Sequence, residues 1–550
     1  MRIRTREKLK KKNAIIVFLF LLPLITFLSY TGGLFIIVND MASYTYDVEI
    51  DKNDFYGESE INETLLAEIA EVLEYRHNKY HIPEGIINLT LSVDFTDYNY
   101  STVERWHETD NAALWGGEIL GAECHRYAVA KREENDDELN ETIHVIRRLV
   151  HGFSMLLKVP NGGLGPEYPG IPARFYAAPG QEGLFPKIFS DHYKMFNGSG
   201  DYKNWKCRLK TSKDELAGYI LGLGTVLKFI DPEDSADAEW CYETVKLMVA
   251  QLIEGFKDTN WLVLHGDGYP AGSDNNMYLG GGVWKLAWLK LGELAYPEKY
   301  ATDYNYIAAK AMHLHQSGEG TLWNTIMEYY AYNFGQAVVY SLVLLEDDPE
   351  LKHFYITMHE NGFYNILRYH RNAWFNAAHL AFMKMIGEEK SKEFEDPDYN
   401  HDTIAWDVKD QLYRFKDWVN PKGMSLSKDQ WGVRNYNLTQ RPHSTRATSE
   451  NEDIKAMEKD PTSKEWRDFF DNHIFGKLYS WVQEDLFDFE DHYLKPITVS
   501  EQGTASNVWA RNPFYAEGGD AGGNGLREER GLSFLLPYWI MRYHGYLEAS

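Results

Sequence analysis

The sequence predicts an all-α protein: an (α/α)6 toroid preceded by one N-terminal transmembrane helix. Three observations carry that expectation. An uncharged apolar stretch follows a basic head, helical periodicity dominates the chain beyond about residue 105, and the periodicity recurs as pairs. In each pair a first helix rich in small and apolar residues precedes a second, more amphipathic one.

The head, residues 1–13, holds Arg2, Arg4, Arg6, Lys8, Lys10, Lys11 and Lys12. Residues 14–38 carry 17 Ile, Leu, Val or Phe and no charge, and 25 residues exceed the ~20 that cross a hydrocarbon core. The positive-inside rule then leaves the N-terminus in the cytoplasm and the bulk of the chain outside the cell membrane. The rival reading is a cleaved signal peptide over Ala14–Leu28. Ser29–Gly33 offers it a weak cleavage zone, but no A-x-A pattern follows and the apolar run resumes at Leu34, so the signal-anchor is the expectation.

Removing that head (net +6) from the chain's −26 leaves the outward part near −32. Such a surface repels phosphate, which excludes nucleic acid as a partner. Three cysteines, Cys124, Cys207 and Cys241, are too few for a disulfide scaffold. No C-x-x-C, H-E-x-x-H or EF-hand pattern occurs, so neither metal nor cofactor is expected. Six N-x-S/T motifs, at Asn62, Asn88, Asn99, Asn140, Asn197 and Asn437, agree with export.

Residues 39–104 read as a stalk and packing arm, with a helix over Glu63–Tyr80 and a short alternating run over Ile87–Phe95. Residues 105–550 read as the toroid. First helices are expected from Asp110 to Tyr127, Thr211 to Phe229, Tyr278 to Leu294, Tyr329 to Glu346, His370 to Met385 and Arg530 to Tyr546. Second helices are expected at about 138–157, 238–257, 301–315, 349–368 and 401–418, with a sixth inside 463–485. Gly218 and Gly222 lie four apart on one helix face, where backbones can approach closely. An open superhelical solenoid is the structural alternative. Long aromatic, Gly-rich insertions at 158–210, 258–281 and 420–462 speak for the ring, and would gather on one rim.

Within this pattern Pro169-Gly-Ile-Pro-Ala-Arg174, Thr211-Ser-Lys-Asp-Glu-Leu-Ala-Gly218, Trp509-Ala-Arg-Asn-Pro513 and Pro537-Tyr-Trp-Ile-Met-Arg-Tyr543 resemble a family of exported, membrane-anchored α-helical proteins of uncharacterised activity. The resemblance covers about residues 105–548. The general shape is similar to the six-hairpin glycosidase and polysaccharide-lyase toroids, a likeness of architecture that implies no mechanism.

In a ring of this kind the first-helix N-termini converge on one rim, where backbone N–H groups and helix dipoles are exposed. The polar residues at those starts include Trp115, Ser212, Asn275, Asn276, Tyr278, Asn372 and Asn376, a lining suited to sugars. Glycoside cleavage needs a carboxylic acid and a carboxylate. Asp214 is the first candidate, with Glu328 or Asp110 as partner. Against it, Ser212-x-x-Glu215 is a capping-box pattern, and Asp110-Asn111 suits an N-cap. A lyase would need a base, for which Tyr329, His370 and His192 qualify, and a carboxylate neutraliser, for which Asn333, Arg371 and Arg174 qualify. Arg174 could equally tie loop carbonyls together. Trp374 completes the expected binding residues. The reading is a carbohydrate-binding rim, with hydrolysis by a carboxylate pair as the leading version. A non-catalytic protein of the cell envelope that binds glycan or a partner, and a lyase or isomerase on a smaller substrate, are the alternatives.

Overall fold

The computed structural model describes residues 50–107, 109–185, 188–189, 194–264, 282–316, 329–421, 424–436, 496, 498–501 and 524–548. The expected membrane segment 14–38 and the expected sixth second helix at 463–485 lie outside these residues. Among the described residues no helix is long and apolar enough to cross a membrane.

The described chain is mostly helical. Its long helices are α1 (Glu63–Arg76), α2 (Ala112–Arg132), α3 (Asp136–Asn161), α4 (Lys213–Phe229), α5 (Ala236–Asp258), α6 (Gly282–Ala295), α7 (Pro297–Gln316), α8 (Tyr329–Leu345), α9 (Pro349–His359), α10 (Ala373–Ile386), α11 (His401–Arg414) and α12 (Leu532–Tyr543). These match the expected pairs closely. The even-numbered helices are buried nearly all round, whereas the odd-numbered ones from α3 onward bury one face. Helix starts follow ordinary capping chemistry. Asn135, Ser235, Asp348, Asn372 and Asn400 each accept a first-turn N–H, and Pro349 sits where its missing donor costs nothing.

Packing follows the same alternation. α2 lies against α4, α4 against α6, α6 against α8, α8 against α10, α10 against α12, and α12 against α2. α4 also touches α8 directly, so the middle of this group is filled rather than open. The odd helices cover the outside: α3 on α2, α5 on α4 and α6, α7 on α6, α9 on α8 and α10, and α11 on α10. α1, from the segment expected as stalk and arm, packs on α12 and α11.

Among the described helices, α2 and α4 approach each other backbone to backbone. A Cβ on Gly117 would lie 1.9 Å from the Gly218 carbonyl oxygen, and one on Gly218 would lie 2.1 Å from that of Ala113. Only hydrogen fits at either position, so the two backbones touch.

Among the described residues seven short strands form two sheets. Antiparallel β2 (Val103–His107), β1 (Ser92–Phe95), β7 (Asn524–Glu528) and β6 (Arg434–Tyr436) lie in that order, with Val93 opposite Glu528 and Glu528 opposite Arg434. The Glu528 carboxylate is buried between Arg76 at 2.7 Å and Arg434 at 2.6 Å, which ties α1 to this sheet. The second sheet, β3 (Phe175–Ala177), β5 (Lys206–Arg208) and β4 (Phe196–Asn197), is built within the 158–210 insertion and rests on α3.

Candidate functional site

Contacts among first turns place the N-terminal ends of the six even-numbered helices together. Trp284 of α6 donates its indole N–H to the Lys213 carbonyl at the start of α4, 3.1 Å away. The same ring stands edge-on to Phe334 of α8, with centroids 5.6 Å apart. Trp374 of α10 donates to Asn333 Oδ1 of α8 at 3.1 Å, and Asn333 Nδ2 donates to Glu118 Oε1 of α2 at 3.1 Å. The guanidinium of Arg530, just before α12, lies 5.0 Å over the Trp115 ring of α2.

Several expected site residues are therefore brought together, though they bind one another. Arg174, from the 158–210 insertion, donates to the Asp110 carbonyl, to Asn111 Oδ1 at 2.6 Å, to the Lys210 carbonyl at 3.0 Å and to Ser212 Oγ at 3.2 Å. It ties loop carbonyls at the starts of α2 and α4, the structural role weighed above. The Asp110 carboxylate accepts from Arg208 Nη1 at 2.6 Å. Arg371 departs from the rim. It adopts a left-handed conformation (φ 54°) that turns its guanidinium to Asp407 at 2.7 Å and Asp410 at 2.6 Å on α11, over the Phe55 ring. Its charge is spent on those acids rather than offered to a substrate carboxylate. His370 is buried beside it. Tyr329 opens α8; His192, Asn276, Tyr278 and Glu328 lie outside the described residues.

The capping box read at Ser212 does not form, since Ser212 caps no N–H. Glu215 is instead wholly buried beside the start of α2, where the Ala113 and Leu114 N–H groups face it without closing an aligned hydrogen bond. Burial pushes its carboxyl up to about 8, against the pull of Arg174 and with the push of half-buried Asp214. The Tyr219 hydroxyl, one turn on, is buried without a hydrogen-bond partner among the described residues.

The group the sequence reading missed is Glu118. It is fully buried, its Oε2 has no hydrogen-bond partner among the described residues, and burial holds its carboxyl well above the usual range, against the Asn333 amide. Burial thus favours the protonated carboxylic acid, the form able to give a proton. The signal was there: Glu118 is a single acid inside the apolar run Ala112–Ala122.

Beside this end lies a second buried polar chain. Glu360 Oε1 accepts from His359 Nδ1 and His379 Nδ1, both at 2.9 Å, on a π-helical turn spanning Glu360–Tyr364. Tyr364 stacks on the His379 ring at 4.4 Å and donates to Asn376 Oδ1 at 2.9 Å, and Asn376 reaches Tyr399 and Asp407. Among the described residues no group of three or more His, Cys, Asp or Glu is placed to hold a metal ion.

Comparison with known proteins finds no matching family model and no matching curated protein. The resemblance given above stands on its quoted residues alone.

Proposed function

We propose that this is a single-pass, membrane-anchored protein whose outward part closes its helix pairs into an (α/α)6 toroid and binds carbohydrate at the gathered N-terminal ends. It cleaves a glycosidic bond there, with Glu118 as proton donor in place of the Asp214, Glu328 and Asp110 set read from sequence. The observation that carries this reading is the Glu118–Asn333–Trp374 chain. It links a buried acid, an amide and an indole from three helices at one end of the group. Closure is supported by the neighbour order, in which α12 returns to α2 and α1 takes the outer place beside it. The anchor is supported by the basic head and the apolar stretch behind it. Asp214, which pairs with no cation among the described residues, is the remaining rim carboxylate for the second role.

The test uses the full chain in detergent against a broad glycan panel, reading both binding and release of reducing ends. Release that disappears in Glu118→Gln while binding persists is the expected result. The glutamine keeps the shape and the Asn333 contact of the neutral acid, so the variant folds. Unchanged release in that variant removes the assignment. A second reading, a non-catalytic envelope protein that binds glycan, draws on one observation: Arg174, Asn333 and Trp374 all spend polar groups on protein partners. Binding without release by the unaltered protein would select it.

A further inference from the structure

Five of the six N-x-S/T motifs fall on described residues, and their surroundings differ sharply. An acceptor asparagine belongs to a surface loop, and a folded chain keeps a glycan only where the motif faces solvent. Asn88 fails that demand. Its carboxamide is 2.9 Å from His151 Nδ1, Thr90 is fully buried against His77, and a Cβ on Gly152 would lie 1.7 Å from the Asn88 carbonyl oxygen. Asn62 is the N-cap of α1, accepting from the Leu65 N–H at 3.3 Å. Asn140 stands inside α3, and the Thr142 hydroxyl of its motif is buried and donates to the Glu138 carbonyl at 2.6 Å. Asn197 lies in β4 and accepts from Lys206 Nζ at 2.6 Å.

Asn99 is different. It sits in the turn joining β1 to β2; Asn99 and Ser101 are both exposed, as are Asn62 with Thr64 and Asn197 with Ser199, but of these three asparagines it is the one whose carboxamide bonds to none of the described residues. The turn is held by its own backbone, with the Asn99 N–H on Asp97 Oδ1 and the Thr96 N–H on the Thr102 carbonyl, each at 3.0 Å. Tyr100, the middle residue of the motif, is fully buried with φ 52°, and the Arg434 guanidinium lies 3.5 Å over its ring. A buried peg thus fixes the turn while the residues either side of it face water.

We propose that Asn99 is an N-glycosylation site of the outward-facing chain, as the motif of the five whose asparagine and hydroxyl residue are both exposed and whose carboxamide bonds to none of the described residues. This rests on the extracytoplasmic reading above. In the transfer, Asn99 Nδ2 attacks the anomeric carbon of an oligosaccharide carried on a polyprenyl diphosphate. A C–N bond forms as the C–O bond to phosphate breaks, the amide gives up one proton, and the lipid diphosphate departs with the electron pair.

The test expresses the full chain in eukaryotic cells whose secretory pathway modifies N-x-S/T motifs. Glycopeptide mass spectrometry reads each site, and protease protection of a C-terminal tag reads topology. Occupancy of Asn99 in most molecules, with Asn88 empty, is expected. Asn99→Gln and Ser101→Ala should each remove one glycan's mass without moving the melting temperature of the deglycosylated protein. A protected C-terminus with Asn99 empty, whether or not Asn62 or Asn140 is filled, overturns the proposal. An accessible C-terminus with every motif empty overturns the export reading and the proposal with it.

Discussion

The α2–α4 and α10–α11 contacts solve the same problem, joining two helices, by opposite means. α2 and α4 meet through glycine, backbone on backbone, with nothing to ionise at the point of closest approach. α10 and α11 meet through Arg371, Asn376, Asp407 and Asp410, with Arg414 and Tyr399 completing the charges. The first contact is limited by volume and the second by charge balance. Each should fail to a different substitution.

The largest effect is expected at the charged contact. Arg371→Ala leaves Asp407 and Asp410 short of their shared cation in a dry interior and should cost about 3–5 kcal/mol in denaturant unfolding. A loss below about 1 kcal/mol would mean that water reaches these acids. Next comes Gly117→Ala, whose new methyl meets backbone that cannot rotate away, for about 3 kcal/mol. Gly121→Ala provides the control. Its Cβ would meet Leu221 Cγ at 3.2 Å, a side chain that can shift, so less than about 1 kcal/mol is expected. Equal losses at the two glycines would sink the idea of a backbone-limited contact.

How much of this was legible beforehand follows from range. Gly218 and Gly222 announced a close approach because their spacing is local, and the paired helices were found for the same reason. The partners of Arg371 lie 36 and 39 positions away, and nothing local separates an arginine facing a substrate from one facing its own acids. Glu215 shows the converse failure. The pattern Ser212-x-x-Glu215 is a sound local signal, but burial beside the start of α2 overrides it.

The two regions also differ in their response to pH. Glu215 has a raised folded pKa, so the folded state holds a proton that the unfolded chain releases. Stability is lost as pH climbs from about 4.5 to about 8. Glu215→Gln, which mimics the protonated acid, should gain on the unaltered protein across that window by on the order of 1 kcal/mol per pH unit. A flat difference would show Glu215 to be ionised in the fold. Glu360 slopes the other way. Burial pushes its carboxyl up, but His379 and His359 pull it well below the usual range, so its contribution is present above about pH 4.5 and is lost on acidification. The smallest effect compares helix starts. Asn372→Ala removes a cap from α10 and should cost about 1 kcal/mol, whereas Ser212→Ala at α4 removes no cap and should cost less. Thermal melts resolve the two, and the reverse order would count against the capping assignment.

The pairing of Val93 with Glu528 imposes a schedule on the ribosome. β1 and α1 emerge early, yet the strand and the carboxylate that secure them are translated more than four hundred residues later. Local helices form as they appear, but long-range pairing waits for its partner and makes folding slow. Until β7 arrives, β1 has an unpaired edge and Arg76 lacks its counter-ion, a state prone to aggregation. A nascent chain halted before Asn524 would therefore depend on a chaperone to stay soluble.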